Sequence, residues 1–178
     1  MTSALGHLPW LPAPQHLDLL APSVALALTG LPWQDDILAA EIDPDLADTA
    51  AFCERYEAAL TASANCVVVA GKRGDTVSYA ACVLLATTRL DVNNVVRTRL
   101  GARKASFAPL DEATRLSEME YGGITPIGLT QWPVLIDAAV AAAGPVVIGS
   151  GLRRSKLAVD GARLAELPGA EIITGLAR

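Results

Sequence analysis

Histidine is nearly missing from this 178-residue chain: His7 and His16 are the only two, both close to the start. A Ser-His-Asp triad or a histidine-ligated metal site would have to recruit that one segment. Cysteine is also scarce. Cys53, Cys66 and Cys82 form an odd set with no C-x-x-C spacing, which argues against a disulfide framework and against a zinc site. Cys66 and Cys82 sit in Val/Ala-rich runs and read as small buried hydrophobes, a thiol-dependent hydrolase being the minor alternative. No Lys or Arg precedes Arg55, so the start lacks the basic region of a signal peptide or the arginines of a transit peptide. The longest apolar stretch, residues 134–148, is interrupted by Asp137, Gly144 and Pro145 and falls short of the roughly 20 apolar residues a spanning helix needs. A soluble, cytoplasmic protein with no membrane partner is expected.

Positive charge is in deficit as well. Fourteen Lys and Arg against nineteen Asp and Glu give a net charge of −5, so the whole-molecule field repels phosphate. A DNA-coating protein is excluded, and any nucleic-acid contact must be local. Apolar residues make up 52% and charged residues 19%, which excludes a disordered chain. The length suits one domain able to bury a core without disulfide or metal.

Residues 1–14 hold Pro9, Pro12 and Pro14 around Trp10 and cannot form a regular helix. A helix beginning or bending at Pro22 and stopping at Gly30 follows. Residues 37–42 read as a strand and 45–60 as a helix, with Asp43 or Asp45 as its cap. The pattern then turns β-branched: 66–70 and 76–88 read as a hairpin about Gly71–Gly74, whose Lys72 and Arg73 lack the Walker spacing. Asp91 caps a helix over 92–100, 104–108 is a short strand, and Pro109 opens another helix. Strands over 134–136, 146–148, 156–159 and 171–174, with a short helix at 161–167, complete the pattern. Hairpins mixed with helices favour an α+β fold with a mixed sheet. We divide the chain into an N-terminal Pro/Trp-rich leader and helix, 1–36, and a main domain, 37–178.

The glycines are the informative residues. Gly122-Gly123-Ile124-Thr125-Pro126-Ile127-Gly128 can hold positive φ and bring backbone N–H groups near a ligand, or it is an ordinary surface turn. Gly149-Ser150-Gly151 directly follows a Val-Val-Ile strand; its N–H groups and the Ser150 hydroxyl could bind a carbonyl or phosphate oxygen, or it is a tight turn. Arg153, Arg154 and Lys156 come next, either as a solvated strand edge or as a local phosphate patch. Arg97, Arg99, Arg103 and Lys104 form a second basic cluster.

These loops carry a resemblance. Residues 102–108 (Ala-Arg-Lys-Ala-Ser-Phe-Ala), then 120–128 (Glu-Tyr-Gly-Gly-Ile-Thr-Pro-Ile-Gly), then 133–137 (Pro-Val-Leu-Ile-Asp), then 147–153 (Val-Ile-Gly-Ser-Gly-Leu-Arg) resemble the YbaK family, which includes the prolyl-tRNA-synthetase-associated editing domain. The similarity runs from about Ile37 to Leu167. It implies a single compact α+β domain with a mixed, partly barrel-like β-sheet surrounded by helices. It also implies hydrolysis in trans of the ester joining a wrong amino acid to the 3′ end of tRNA, with no metal and no cofactor. Aminoacyl-tRNA would be the substrate and an aminoacyl-tRNA synthetase a candidate partner. By resemblance, Gly122, Gly123, Thr125, Pro126 and Gly128 frame the aminoacyl group and terminal adenosine, and Gly149, Ser150, Gly151 and Arg153 close the pocket.

One position departs from the family. Editing members carry a lysine in the first long strand, in a segment like Ile-Val-Lys-Thr-Leu. The matching stretch here is Asn65-Cys66-Val67-Val68-Val69, with Val68 in the lysine's place and the catalytic group therefore unassigned. Lys72 is four strand residues on, about 13 Å away. Either another cation (Arg73, Lys104 or Arg153) serves, or the domain is a non-catalytic module binding aminoacyl-tRNA, a nucleotide or a protein partner.

Overall fold

Alternation of small and branched apolar residues builds the longest elements of the computed structural model, which describes residues 4–178; the first three residues of the leader lie outside this range. Strands β3 (Ala64–Arg73) and β4 (Thr76–Leu85) pair antiparallel over their full length. Their turn is two residues, Gly74 and Asp75, with Gly74 at φ +60°, a conformation that favours glycine. On one face lie Ala64, Val68, Ala81 and Val83; on the other, Val69, Ala80 and Cys82. Both faces are buried, so neither shows a polar-out alternation.

Around this hairpin a five-stranded sheet forms in the order β5-β3-β4-β6-β9, with β5 at Lys104–Phe107, β6 at Val134–Asp137 and β9 at Ala170–Ile173. The β4–β6 and β6–β9 pairs are parallel and the rest antiparallel, so the sheet is mixed. A second, antiparallel sheet runs β1-β2-β8-β7, from Leu11–Pro12, Leu38–Glu41, Ser155–Asp160 and Pro145–Gly149. A single parallel bridge between Ser63 and Val147 joins the two sheets, a partly barrel-like arrangement that does not close.

The main core fills the space between the sheets. Val134, Ile136, Ile148, Leu157 and Val159 meet Val24 and Leu28 of α1 (Pro22–Thr29) there, and Trp33 joins them. A second cluster behind the five-stranded sheet packs Val69, Cys82 and Leu135 against Val96 and Leu176. A third sets α2 (Thr49–Tyr56), through Phe52 and Cys53, over Val147. The remaining α-helical segments among the described residues are α3 (Arg97–Arg99), α4 (Leu110–Ser117) and α5 (Ala138–Ala141), and the short helix expected over 161–167 is a 3₁₀ helix, Gly161–Glu166.

The 45–60 helix is the main departure from the sequence pattern. Asp43-Pro44 forms a separate 3₁₀ turn, Pro44–Leu46, whose first amide Asp43 caps. The α-helix starts only at Thr49 and stops where Glu57 turns left-handed, φ 55°, to send the chain back toward β3. The helix expected over 92–100 is likewise split, into a wide turn at Val92–Val96 and α3, with Asp91 accepting from the Asn94 N–H as anticipated. No helix among the described residues is long and apolar enough to cross a membrane.

Asp137 ties two ends of the fold together. One carboxylate oxygen accepts from the Ala139 N–H at 2.8 Å, starting α5; the other accepts from the Ala177 N–H at 2.8 Å, anchoring the C-terminal segment. Asp137→Ala removes both charge-assisted hydrogen bonds, and we expect a loss of about 3 kcal/mol in chemical denaturation. A change under 1 kcal/mol contradicts this role.

Candidate functional site

A cavity of about 370 Å³ opens where β3 and β7 diverge past the Ser63–Val147 bridge. The start of α2 supplies Ala47, Asp48, Thr49 and Phe52. Strand β3 supplies Ala64 to Val68, the segment into α4 gives Phe107, Ala108, Leu110 and Ala113, and the long loop gives Tyr121, Gly122 and Ile124. Strands β7 and β8 close the wall with Val147, Ile148, Gly149 and Lys156. Most of this surface is apolar. Its polar features are few: Thr49 Oγ1 donates to Asn65 Oδ1 at 2.6 Å, leaving the Asn65 amide hydrogens, and Asp48 and Lys156 bring opposite charges.

Lys156 was expected at a solvated strand edge or in a phosphate patch. Strand β8 instead lies between β2 and β7, and the Lys156 side chain is 7% exposed. Its ammonium donates to the Ala47 carbonyl at 2.8 Å and the Gly122 carbonyl at 3.3 Å, and lies 5.5 Å from the centre of the Phe52 ring. No carboxylate stands within 4 Å of it among the described residues. Burial lowers its pKa from 10.5 to about 8, against the opposing pull of Asp48. Lys156 is the only Lys or Arg lining the cavity among the described residues.

The sequence-predicted residues divide into two groups. Gly122 and Gly149 line the cavity. Gly123, Thr125, Pro126, Gly128, Ser150 and Gly151 lie behind it and hold the two loops against each other and against α1. The Gly151 N–H donates to the Gly123 carbonyl at 2.7 Å, and the Glu120 N–H to the Gly151 carbonyl at 2.9 Å. A Cβ on Gly149 would sit 2.3 Å from the Gly123 oxygen, and one on Gly123 2.6 Å from the Leu152 backbone. A side chain at Gly123 therefore meets protein backbone before it meets any ligand. Gly128, at φ +96°, lies against the Ser23 carbonyl, and Gly151, at φ +85°, against Ala21. Ser150, fully buried, bonds Ser155 Oγ at 2.7 Å. Thr125 and Pro126 are buried in the same packing.

The other cations stand elsewhere. Arg153 stacks on the Tyr121 ring at 5.3 Å, donates to the Tyr121 carbonyl and faces Asp48 at 4.0 Å. Arg73 donates to the Gly101 carbonyl and Lys104 lies exposed on β5; neither lines the cavity. Val68 does line it, as a buried apolar wall. Cys66 lines it too, but burial, with Cys82 adding, pushes its thiol far up, which works against a thiolate nucleophile there. Cys82, on the opposite face of the hairpin, is pushed up to about 12 by burial. His7, paired with Glu57 at 3.3 Å, and His16 are both away from the cavity.

A family model for the aminoacyl-tRNA editing domain matches residues 43–167, and the chain belongs to that family. The fold agrees with a solved structure described as "Crystal structure of a putative trans-editing enzyme for prolyl tRNA synthetase" (TM-score 0.71, 19% identity, 87% of this chain and 97% of that one). It agrees equally with a structure from work on grafting linear epitopes onto scaffold proteins (TM-score 0.72, 19% identity, 86% and 95%). A hypothetical protein matches at TM-score 0.69 and 17% identity, over 79% and 90%. No curated protein matches the sequence.

The depressed Lys156 pKa makes a stability prediction. The unfolded chain keeps this proton up to about pH 10.5, the folded chain only to about pH 8. Between those values the unfolded state binds more protons, so stability rises with pH. The drop from 10.5 to about 8 corresponds to about 3 kcal/mol. In denaturant titrations, wild type should gain about that much relative to Lys156→Met from pH 7.5 to 10.5. An unchanged difference means that the ammonium is solvated.

Proposed function

We propose that this domain, spanning residues 37–178, removes amino acids from mischarged tRNA in trans, by hydrolysing the ester between the amino acid and the 3′-terminal ribose. The observation that carries the reading is one of extent: every residue lining the cavity falls inside the 43–167 span that matches the editing-domain family. The volume suits an amino acid with part of a ribose, within the range of small-molecule pockets. Phe107 and Tyr121, 59% and 51% exposed at the rim, offer aromatic faces on which the terminal adenine can stack.

An ester needs no protein nucleophile when water, or the neighbouring ribose hydroxyl, is held against the carbonyl. What it needs is a set of donors where negative charge develops, each worth about 3–4 kcal/mol in well-ordered sites. Gly122 contributes here: it lines the cavity, and its N–H has no hydrogen-bond partner among the described residues. Gly149, packed against the same loop, adds backbone next to it, and Arg153 steadies Tyr121. Phosphates of the acceptor end would meet local cations such as Lys104 and Arg103 rather than a basic protein.

A second reading, a non-catalytic module on the same fold, is favoured by Val68, an apolar residue in the cavity wall at the place of the family lysine. Deacylation of a panel of aminoacyl-tRNAs, including Cys-, Ala-, Ser- and Pro-charged prolyl tRNA, separates the two. We expect turnover on at least one substrate. Val68→Phe, which fills the cavity, should cut kcat/KM at least tenfold without lowering the melting temperature by more than a few degrees. A folded wild type that binds a substrate and turns over none supports the module instead.

A further inference from the structure

We propose that Lys156 is a catalytic residue of this site, donating a hydrogen bond from β8 to the carbonyl oxygen of the bound ester. The proposal rests on the deacylation reading above, and it fills the position left open by Val68 from a different strand of the same cavity.

Three observations carry it. Lys156 is the only cationic side chain lining the cavity among the described residues. Its protein partners are two neutral carbonyls, on Ala47 and Gly122, both themselves cavity-lining residues. An ammonium carries three N–H donors, so one remains for a substrate oxygen. The third observation is the expense of the arrangement. A buried ammonium without a carboxylate partner is destabilising, and a methionine of similar length would avoid that penalty. A purely structural peg between two carbonyls has no need of a full charge.

The chemistry balances without further groups. Water oxygen bonds to the carbonyl carbon, and the carbonyl oxygen, accepting from Lys156, takes up the negative charge. As that intermediate collapses, the bond from carbon to the ribose oxygen breaks. One water proton ends on the ribose oxygen and the other water hydrogen stays with the new carboxyl group. The products are a free amino acid and tRNA with a free 3′ hydroxyl. The Lys156 proton never leaves its nitrogen.

A donor must be protonated, so activity should be lost as Lys156 deprotonates. The groups that face it are Asp48 and Cys53 from α2 and its cap and Arg153 from the loop before β8, with Cys66 of β3 and Tyr121 on other walls of the cavity. The thiol of Cys66 is held up well above this range.

The test is single-turnover deacylation of the best substrate by wild type, Lys156→Met, Lys156→Gln and the double variant Lys156→Met/Val68→Lys, with a melting curve for each. Lys156→Gln keeps two N–H donors for the Ala47 and Gly122 carbonyls while removing the charge and the third donor, so it separates folding from chemistry. Both single variants should lose at least 100-fold in rate while binding a non-hydrolysable 3′-aminoacyl-amide adenosine within fivefold of wild type. The double variant should recover at least tenfold over Lys156→Met. The wild-type rate, corrected for spontaneous hydrolysis, should fall above about pH 8. A folded Lys156→Gln within threefold of wild type, or a corrected rate that rises through pH 8, overturns the proposal. A wild type that turns over nothing fails the deacylation reading and this inference together, whereas an active wild type matched by Lys156→Gln fails the inference alone.

Discussion

The site depends on one contact between backbones. At Gly149 the end of β7 passes so close to the 122–128 loop that a Cβ would stand 2.3 Å from the Gly123 oxygen and 2.7 Å from that of Ile124. Glycine is the only residue that fits without moving one loop off the other. The Gly151 N–H then reaches the Gly123 carbonyl, and the Glu120 N–H the Gly151 carbonyl. This junction sets the Gly122 carbonyl within reach of the Lys156 ammonium and puts Gly122 and Gly149 in the cavity wall. The glycine-rich loops therefore act first as a clamp on each other. Their closeness to a ligand is a consequence of that clamp.

The second constraint is electrostatic. Protein interiors tolerate a buried cation only with oxygen partners around it. Lys156 has two carbonyls and an aromatic face, with Asp48 acting on it from beyond salt-bridge distance. That environment leaves the ammonium incompletely satisfied, which suits a group meant to meet a substrate oxygen. Under the proposed function it would also let an acidic protein handle a nucleic-acid end, since the charge that matters is one residue in a low-dielectric cavity.

Much of the fold was legible in the sequence, because its signals were local. The hairpin and the Asp91 cap depend on neighbours a few residues away, although the turn is shorter than the Gly71–Gly74 reading, with 71–73 in strand, and Asp43 caps the 3₁₀ turn Pro44–Leu46 rather than the helix expected over 45–60. The glycine loops were visible for the same reason. What could not be read was the separation between glycines that line the cavity, Gly122 and Gly149, and those that pack loops, since that depends on which backbone lies across from each. Lys156 was hidden by topology. Its strand reads as an edge until β2, more than a hundred residues earlier, is known to pair on its far side. One hint was available: Ala158, two residues on and so on the same face, is apolar. The interruption of the 45–60 pattern was missed because helical periodicity continued across Asp48 and Glu57 while tertiary packing bent the chain at both.

Under the proposed function the aminoacyl end enters this cavity and meets Lys156. The most direct measurement is the side-chain ¹⁵N and ¹H signal of the Lys156 ammonium, followed with the Val68 methyl signals, as a non-hydrolysable 3′-aminoacyl-amide adenosine is titrated in. Both signals should shift together with one saturation curve, and the ammonium protons should become more protected from exchange. Saturable binding that moves signals elsewhere and leaves Lys156 and Val68 unchanged would contradict it.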